Sequence, residues 1–314
     1  MFLILRILSL SVVLMLAACA TENSSSKPIT STPEPIPQVR STSILDSQDI
    51  EKVDPAILNY STQSRKATLS NQQTISTPPG DYGKFHALVI GNNGYAHFPA
   101  LKTAEGDAKA VASLLKKDYG YNVQLILNGT RRDIVSALDS MRRNLTESDN
   151  LLVYYAGHGY LDKEAERGYW LPVDAGQDTT TDWISNADIT DKLKALQAKR
   201  VLVVADSCYS GTMTRGLRVT LKSKSAKVQE IKKRSRTVLT SGGLEPVTDG
   251  SGGKHSVFAA ALLNALQENK VALEGGQLFK NISHQVQVNS DQTPTYSDIR
   301  KAGHDGGDFI FVRK

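Results

Sequence analysis

Two short apolar runs, neither broken by a charge, divide the chain: L-L-V-Y-Y-A over 151–156 and V-L-V-V-A over 201–205. Each is continuous rather than alternating and too short for a buried helix, the pattern of a strand covered on both faces. Each then runs into small and turn-forming residues, G-H-G at 157–159 and D-S-C-Y-S-G at 206–211. Around them, from Lys84 onward, strand and helix signals alternate. Further strands are expected at 85–90, 123–127, 237–240 and 308–312. Apolar residues recur at helical spacing in 103–118 (Ala104, Ala108, Val111, Ala112, Leu115) and in 130–143 (Ile134, Val135, Leu138, Met141). Helices are also expected at 186–196, 255–267 and 276–288, and a hairpin or irregular excursion at 160–174.

Six strands joined by crossover helices predict an α/β fold, a doubly wound, mainly parallel sheet flanked by helices, as one domain over 81–314. In such a sheet, chemistry gathers beyond the carboxyl ends of the strands. The loop G-N-N-G-Y at 91–95 has neither the dinucleotide nor the P-loop glycine pattern, so a phosphate site is not expected there.

The region before 81 reads differently. Arg6 precedes an apolar stretch over 7–18 that is too short to span a bilayer and ends in L-A-A-C at 16–19. This resembles a bacterial lipoprotein signal, which implies cleavage of 1–18 and diacylglycerol on the sulfur of Cys19. Ala20 rather than Asp follows, which by the same resemblance implies the outer membrane, with the protein facing the periplasm of the bacterial envelope. A plain secretory signal and an uncleaved anchor are the alternatives. Residues 19–80 are rich in Ser, Thr, Pro, Gln and Asn with Tyr60 as the one aromatic, too little apolar area to offset the entropy of ordering. They are expected to form a lipid-anchored, disordered tether with a root-mean-square reach of about 40–50 Å.

Composition adds little: 40% hydrophobic, 22% charged, net charge +5. A basic segment over 214–236 has one acidic residue, Glu230, and no aromatic on which a base could stack, so nucleic acid is not an expected partner. The cysteine count matters more. There are two cysteines, and if Cys19 is lipidated, Cys208 is the sole free thiol and has no partner for an internal disulfide. Its place after a strand, beside Asp, Ser and Gly, favours a reactive group over a buried small apolar one. His158 lies fifty residues earlier at the end of the other buried run. Adjacent parallel strands would bring the two to one sheet edge as a nucleophile–base pair. Gly157 and Gly159 flank the histidine and leave room for a substrate backbone. The other five histidines (His86, His97, His255, His284, His304) have no comparable setting, no cluster has metal-ligand spacing, and no cofactor is expected.

Y-Y-A-G-H-G and D-S-C-Y-S-G, in that order and at that spacing, resemble the catalytic blocks of the caspase/metacaspase superfamily. The resemblance implies a cysteine endopeptidase with Cys208 as nucleophile, His158 as base and a thioester acyl-enzyme. It implies an oxyanion hole from the backbone N–H groups of Gly159 and Cys208. It makes Asp206 and Asp107 the acidic floor of a P1 pocket for Arg or Lys, although Ala156 stands where metacaspases often have Ser. Read without it, Asp206 caps a turn and Asp107 sits in an exposed first turn of a helix. Caspases are cut between their subunits, which implies self-processing within 215–236, with Lys232-Lys233-Arg234 in reach. Asp162, Asp174, Asp178 and Asp182 fall where some metacaspases bind calcium, but their spacing matches no calcium loop, so activation by that ion stays open.

The implied partners are a peptide or protein substrate and, through Cys19, the membrane; oligomeric state is not legible. The alternative is a caspase-fold envelope binding or scaffold module with little or no proteolysis. A Cys–His acyltransferase or amidase acting on cell-wall peptides shares the dyad but not the block spacing.

Overall fold

The computed structural model describes residues 82–207, 233–242 and 253–314. The leader, the tether, Cys19, Cys208 and most of the basic segment lie outside the described residues. In chain order the strands are β1 (Phe85–Gly91), β2 (Asn122–Leu127), β3 (Asn150–Ala156), β4 (Gly159–Asp162), β5 (Arg167–Trp170), β6 (Ile184–Ser185), β7 (Arg200–Asp206), β8 (Ser235–Thr240), β9 (Leu273–Glu274), β10 (Thr295–Asp298) and β11 (Ile310–Phe311). The helices are α1 (Ala104–Asp118), α2 (Arg131–Asn144), α3 (Asn186–Ala195), α4 (Val257–Glu268) and α5 (Gly275–Asn289).

The main sheet has six strands in the order β10-β8-β7-β3-β1-β2, parallel except for β10, which runs antiparallel to β8. The two apolar runs lie side by side at its centre as β3 and β7, every residue of each buried. Such strands need apolar side chains on both faces because helices cover both. Leu152, Tyr154, Ala156, Leu202 and Val204 face a layer made by α1, α4 and α5. Leu151, Val153, Tyr155, Val201, Val203 and Ala205 face α2 and α3. The expected mainly parallel, doubly wound sandwich is therefore what forms.

One expected strand belongs elsewhere. The segment expected at 308–312 contributes Ile310–Phe311, which pairs with β9 in a separate two-stranded sheet. Its Phe309 and Phe311 are fully buried in the layer of α1, α4 and α5, so apolar burial rather than sheet extension explains the pattern. The sixth strand of the main sheet is instead β10, a four-residue edge whose T-Y-S-D sequence carries no strong strand signal. The excursion after His158 folds as the hairpin β4–β5, extended by β6 into a three-stranded sheet.

Two charged side chains, one buried and one half-buried, hold the periphery. Arg236 of β8 is fully buried, and its guanidinium donates to the carbonyls of Leu193 (3.1 Å), Leu196 (3.0 Å), Lys199 (3.3 Å) and Ser235 (2.7 Å). Arg234 adds bonds to Lys194 (3.2 Å) and Leu196 (2.6 Å). Together they satisfy the carbonyls left open at the end of α3 and oppose its dipole. Burial, and secondarily the neighbouring Arg234, lowers the Arg236 pKa to about 9. Asp308 performs the converse task at the start of α5, accepting from the N–H groups of Gly276 (3.0 Å) and Phe309 (2.7 Å) and from the Tyr296 hydroxyl.

Burial raises the Asp308 carboxyl from 3.8 to about 6, against the pull of those hydrogen bonds. A carboxyl that holds its proton more tightly when folded contributes stability that is fully present below pH 3.8 and lost as pH rises through about 6. The expected outcome is that wild type loses on the order of 2–3 kcal/mol relative to Asp308→Asn between pH 4 and pH 7. Urea denaturation of both proteins across that range checks it; a pH-independent difference contradicts the assignment.

Candidate active site

The register of the central strands decides what meets at the sheet edge. β3 and β7 are paired so that Ala156 lies opposite Asp206, and the Gly157 N–H donates to the Asp206 carbonyl (3.4 Å), carrying the contact one residue further. His158 stands two residues past Ala156, and in the sequence Cys208 stands two residues past Asp206, the register partner of Ala156. Ser207, the last residue described before the cysteine, is buried at that edge.

His158 is held on every side. Its backbone N–H donates to the Tyr95 hydroxyl (2.7 Å). Its carbonyl accepts from Leu171 N (3.0 Å) and from the Tyr155 hydroxyl (2.7 Å), which is also 2.9 Å from the Leu171 carbonyl. Tyr155 in turn stacks flat on Trp170 with ring centroids 4.4 Å apart. The His158 ring lies 4.5 Å from that of Tyr95 and 6.1 Å from that of Phe98. Gly157 is needed for this packing: a Cβ there would come within 2.5 Å of the Tyr95 hydroxyl and 2.8 Å of the Tyr155 hydroxyl.

The ring nitrogen Nε2 lies 2.8 Å from the Pro99 carbonyl. A carbonyl can only accept, so Nε2 carries a proton, and in the neutral ring the lone pair sits on Nδ1. No side chain in the sequence announced this orienting group, because a backbone carbonyl leaves no trace in residue type. Its carrier is the loop from Asn92 to Thr103, in which Asn128 Oδ1 accepts from the N–H groups of Asn93 (2.9 Å) and Gly94 (2.8 Å). Ala96 N also bonds the Val173 carbonyl (2.9 Å). The G-N-N-G-Y stretch that lacked a phosphate pattern therefore serves to position a histidine.

Gly159 opens β4 opposite Trp170. The bond from Leu171 N to the His158 carbonyl makes this a non-hydrogen-bonded pair of the antiparallel ladder, so the Gly159 N–H points away from β5 toward the open edge of β4. That is a donor free of the ladder, one residue from the histidine.

The two acidic residues are both buried, on the α1 and α4 side of the sheet. Asp107 of α1 is 1% exposed and Asp206 is 4% exposed. Asp107 Oδ1 accepts from His255 Nδ1 (2.6 Å) and Oδ2 from Ser256 N (3.2 Å). Ser256, the cap of α4, donates its hydroxyl to Asp206 Oδ2 at 2.5 Å. Burial raises the Asp107 carboxyl above the usual carboxylate range, opposed by its bonds to His255 and Ser256. Asp107 is thus not in an exposed helix turn, and His255, for which the sequence offered no setting comparable to that of His158, is bonded to a candidate site residue. The 148 positions between the two conceal that link.

The acidic residues of the calcium question behave otherwise. Asp162 accepts from the N–H groups of Glu164 (3.0 Å) and Ala165 (2.9 Å), and Asp174 from Arg131 N (2.9 Å). The first carboxylate shapes a turn and the second meets the start of α2. Among the described residues no group of three His, Cys, Asp or Glu side chains could hold a metal ion.

A family model for the caspase domain of C14 peptidases matches residues 84–302. Metacaspase-1 of Meyerozyma guilliermondii is 25% identical over 154 residues, which cover 41% of this chain and 36% of that protein. Metacaspase-1 of Botryotinia fuckeliana is 27% identical over 154 residues, covering 41% and 35%. The Homo sapiens mucosa-associated lymphoid tissue lymphoma translocation protein 1 is 30% identical over 139 residues, covering 41% and 16%. The alignments thus span about a third or less of these curated relatives. A crystal structure of a Geobacter sulfurreducens protein superposes with a TM-score of 0.51 at 21% identity, covering 69% of this chain and 93% of that one, which speaks to fold alone. The family match takes in every strand of the main sheet and both apolar-run blocks, and the chain belongs to the caspase-domain family of C14 peptidases.

Proposed function

We propose that this family member is an active cysteine endopeptidase that cuts after Arg or Lys. The observation that carries the reading is the fixed His158 ring, with Nε2 committed to the Pro99 carbonyl, at the edge to which β7 delivers the chain just before Cys208. In this reading Nδ1 takes the Cys208 proton and the thiolate attacks the scissile carbonyl. The N–H groups of Gly159 and Cys208 stabilise the oxyanion. The imidazolium then protonates the leaving amine, and water, activated by the same ring, hydrolyses the thioester. Asp206 and Asp107 receive the P1 cation by charge-assisted hydrogen bonds that a P1 Asp cannot make.

The reading extends to the parts outside the described residues. Cys19 carries lipid, and the domain hangs from the envelope membrane, probing its substrate from the periplasmic side. Self-processing falls within the basic segment, and the arginine geometry narrows it. Arg234 and Arg236 have their side chains bound to α3 carbonyls, so neither is available as a P1 residue. The cut therefore follows a Lys or Arg before Arg234.

Cys208→Ala and His158→Ala are each expected to lower kcat/KM on a P1-Arg fluorogenic peptide by at least about 10³-fold, and the double variant to be scarcely worse, since the two act as one unit. Near wild-type hydrolysis in either single variant would favour the binding-module alternative. Purified wild type, but not Cys208→Ala, is expected to yield two fragments joined at a Lys or Arg between Arg215 and Lys233; intact-mass spectrometry reads the ends, and a cut after Asp overturns the pocket assignment. Cys19→Ser is expected to abolish incorporation of labelled palmitate, and label persisting in the variant removes the lipid site.

A further inference from the structure

The acidic pair is already occupied. Asp107 and Asp206 sit under the start of α4, and the residue that meets Asp107 from the solvent side is His255, whose side chain is 19% exposed against 1% for Asp107. The contact is short, 2.6 Å from Nδ1 to Oδ1, and it places a planar N–H donor on a carboxylate. A guanidinium presents the same chemistry.

A second group marks the place as unfinished. Tyr154 lies on β3 two residues before Ala156, the register partner of Asp206, and faces the same layer as α1 and α4. It is fully buried, and its hydroxyl has no hydrogen-bond partner among the described residues. Burial, then the charges of Asp206 and Asp107, hold its ionisation well above the usual phenol range. A buried hydroxyl without a partner costs stability, and such groups persist where a ligand completes them. A cation with several N–H donors, set between the two carboxylates, would donate to the phenol oxygen as well. Among the described residues the imidazole is bonded to Asp107 through Nδ1, and that oxygen has no partner.

We propose that His255 is an exchangeable internal occupant of the P1 pocket, displaced from Asp107 by the guanidinium or ammonium of a basic P1 side chain and returning when the product leaves. This rests on the reading of Asp107 and Asp206 as the P1 site, and makes His255 a specificity determinant. Only a side chain whose donors outcompete the imidazole opens the pocket; an uncharged P1 residue leaves it closed. The exchange also lowers the apparent affinity for every basic substrate by the fraction of time the imidazole is away from Asp107.

The test separates binding from chemistry by using the full chain with Cys208→Ala. The probes are n-butylguanidinium and its uncharged isostere n-butylurea, titrated calorimetrically. Adding His255→Ala is expected to tighten n-butylguanidinium binding by about tenfold, the gain if the open state holds about a tenth of the population. His255→Gln, which keeps amide N–H donors on an uncharged side chain, is expected to fall between the two and serves if the alanine variant does not fold. In protein labelled with ¹⁵N-histidine, n-butylguanidinium and not n-butylurea is expected to shift the His255 ring signals. Equal or weaker guanidinium binding in folded His255 variants overturns the exchange; if wild type still cuts after Arg, the pocket reading survives that result. Absence of guanidinium binding in all the proteins, with no cleavage after Arg or Lys, overturns the pocket reading and the exchange together.

Discussion

The site depends on the parallel pairing of β3 with β7. Because the register sets Ala156 opposite Asp206, both central strands end at the same height. A slip of β7 by one residue would turn Leu202 and Val204 to the α2 and α3 layer and present the wrong alternation to both helical layers. The core therefore enforces the geometry of the edge: Leu152, Tyr154 and Val204 must face one layer, Val153, Tyr155 and Val203 the other. The chemistry at the ends of these strands is positioned by apolar packing well behind it.

That dependence explains what the sequence disclosed. Strands buried on both faces leave continuous apolar runs, so β3, β7 and their shared edge could be read directly. The helices on either layer were legible from their periodicity for the same reason. The edge β10 could not be read, since a four-residue strand at the rim needs little apolar character, and Ile310–Phe311 misled because its burial is supplied by helices rather than by a sheet.

In the site the same division holds. His158 was visible because glycines flank it, and Gly157 turns out to be required by two hydroxyl groups. The Pro99 carbonyl was beyond reading and the Gly159 N–H was named only through family resemblance, because backbone groups have no residue type. His255 was missed for another reason: its meaning lies wholly in a partner on α1, and nothing local distinguishes it from a surface histidine. Asp107 was singled out through family resemblance and Asp206 through its place before the thiol. Their burial, with the bonds that satisfy them, is a property of the folded chain.

The arginine pair at the start of β8 carries a consequence for the chain as a polymer. Arg234 and Arg236 dock on the end of α3 at the close of the basic segment, so β8 is moored at its own first residues as well as through its covalent link to β7. If the backbone were opened anywhere ahead of Lys233, the piece carrying β8, β10, α4 and α5 would keep its strand pairing, its helices beside α1 in one layer and a guanidinium that water cannot reach. Dissociation would require stripping three carbonyls, those of Leu193, Leu196 and Lys199, from that cation and splitting a six-stranded sheet. The interruption would therefore change the connectivity of the molecule while leaving its equilibrium shape to the same packing forces, as in a dimer whose two halves were made on one ribosome.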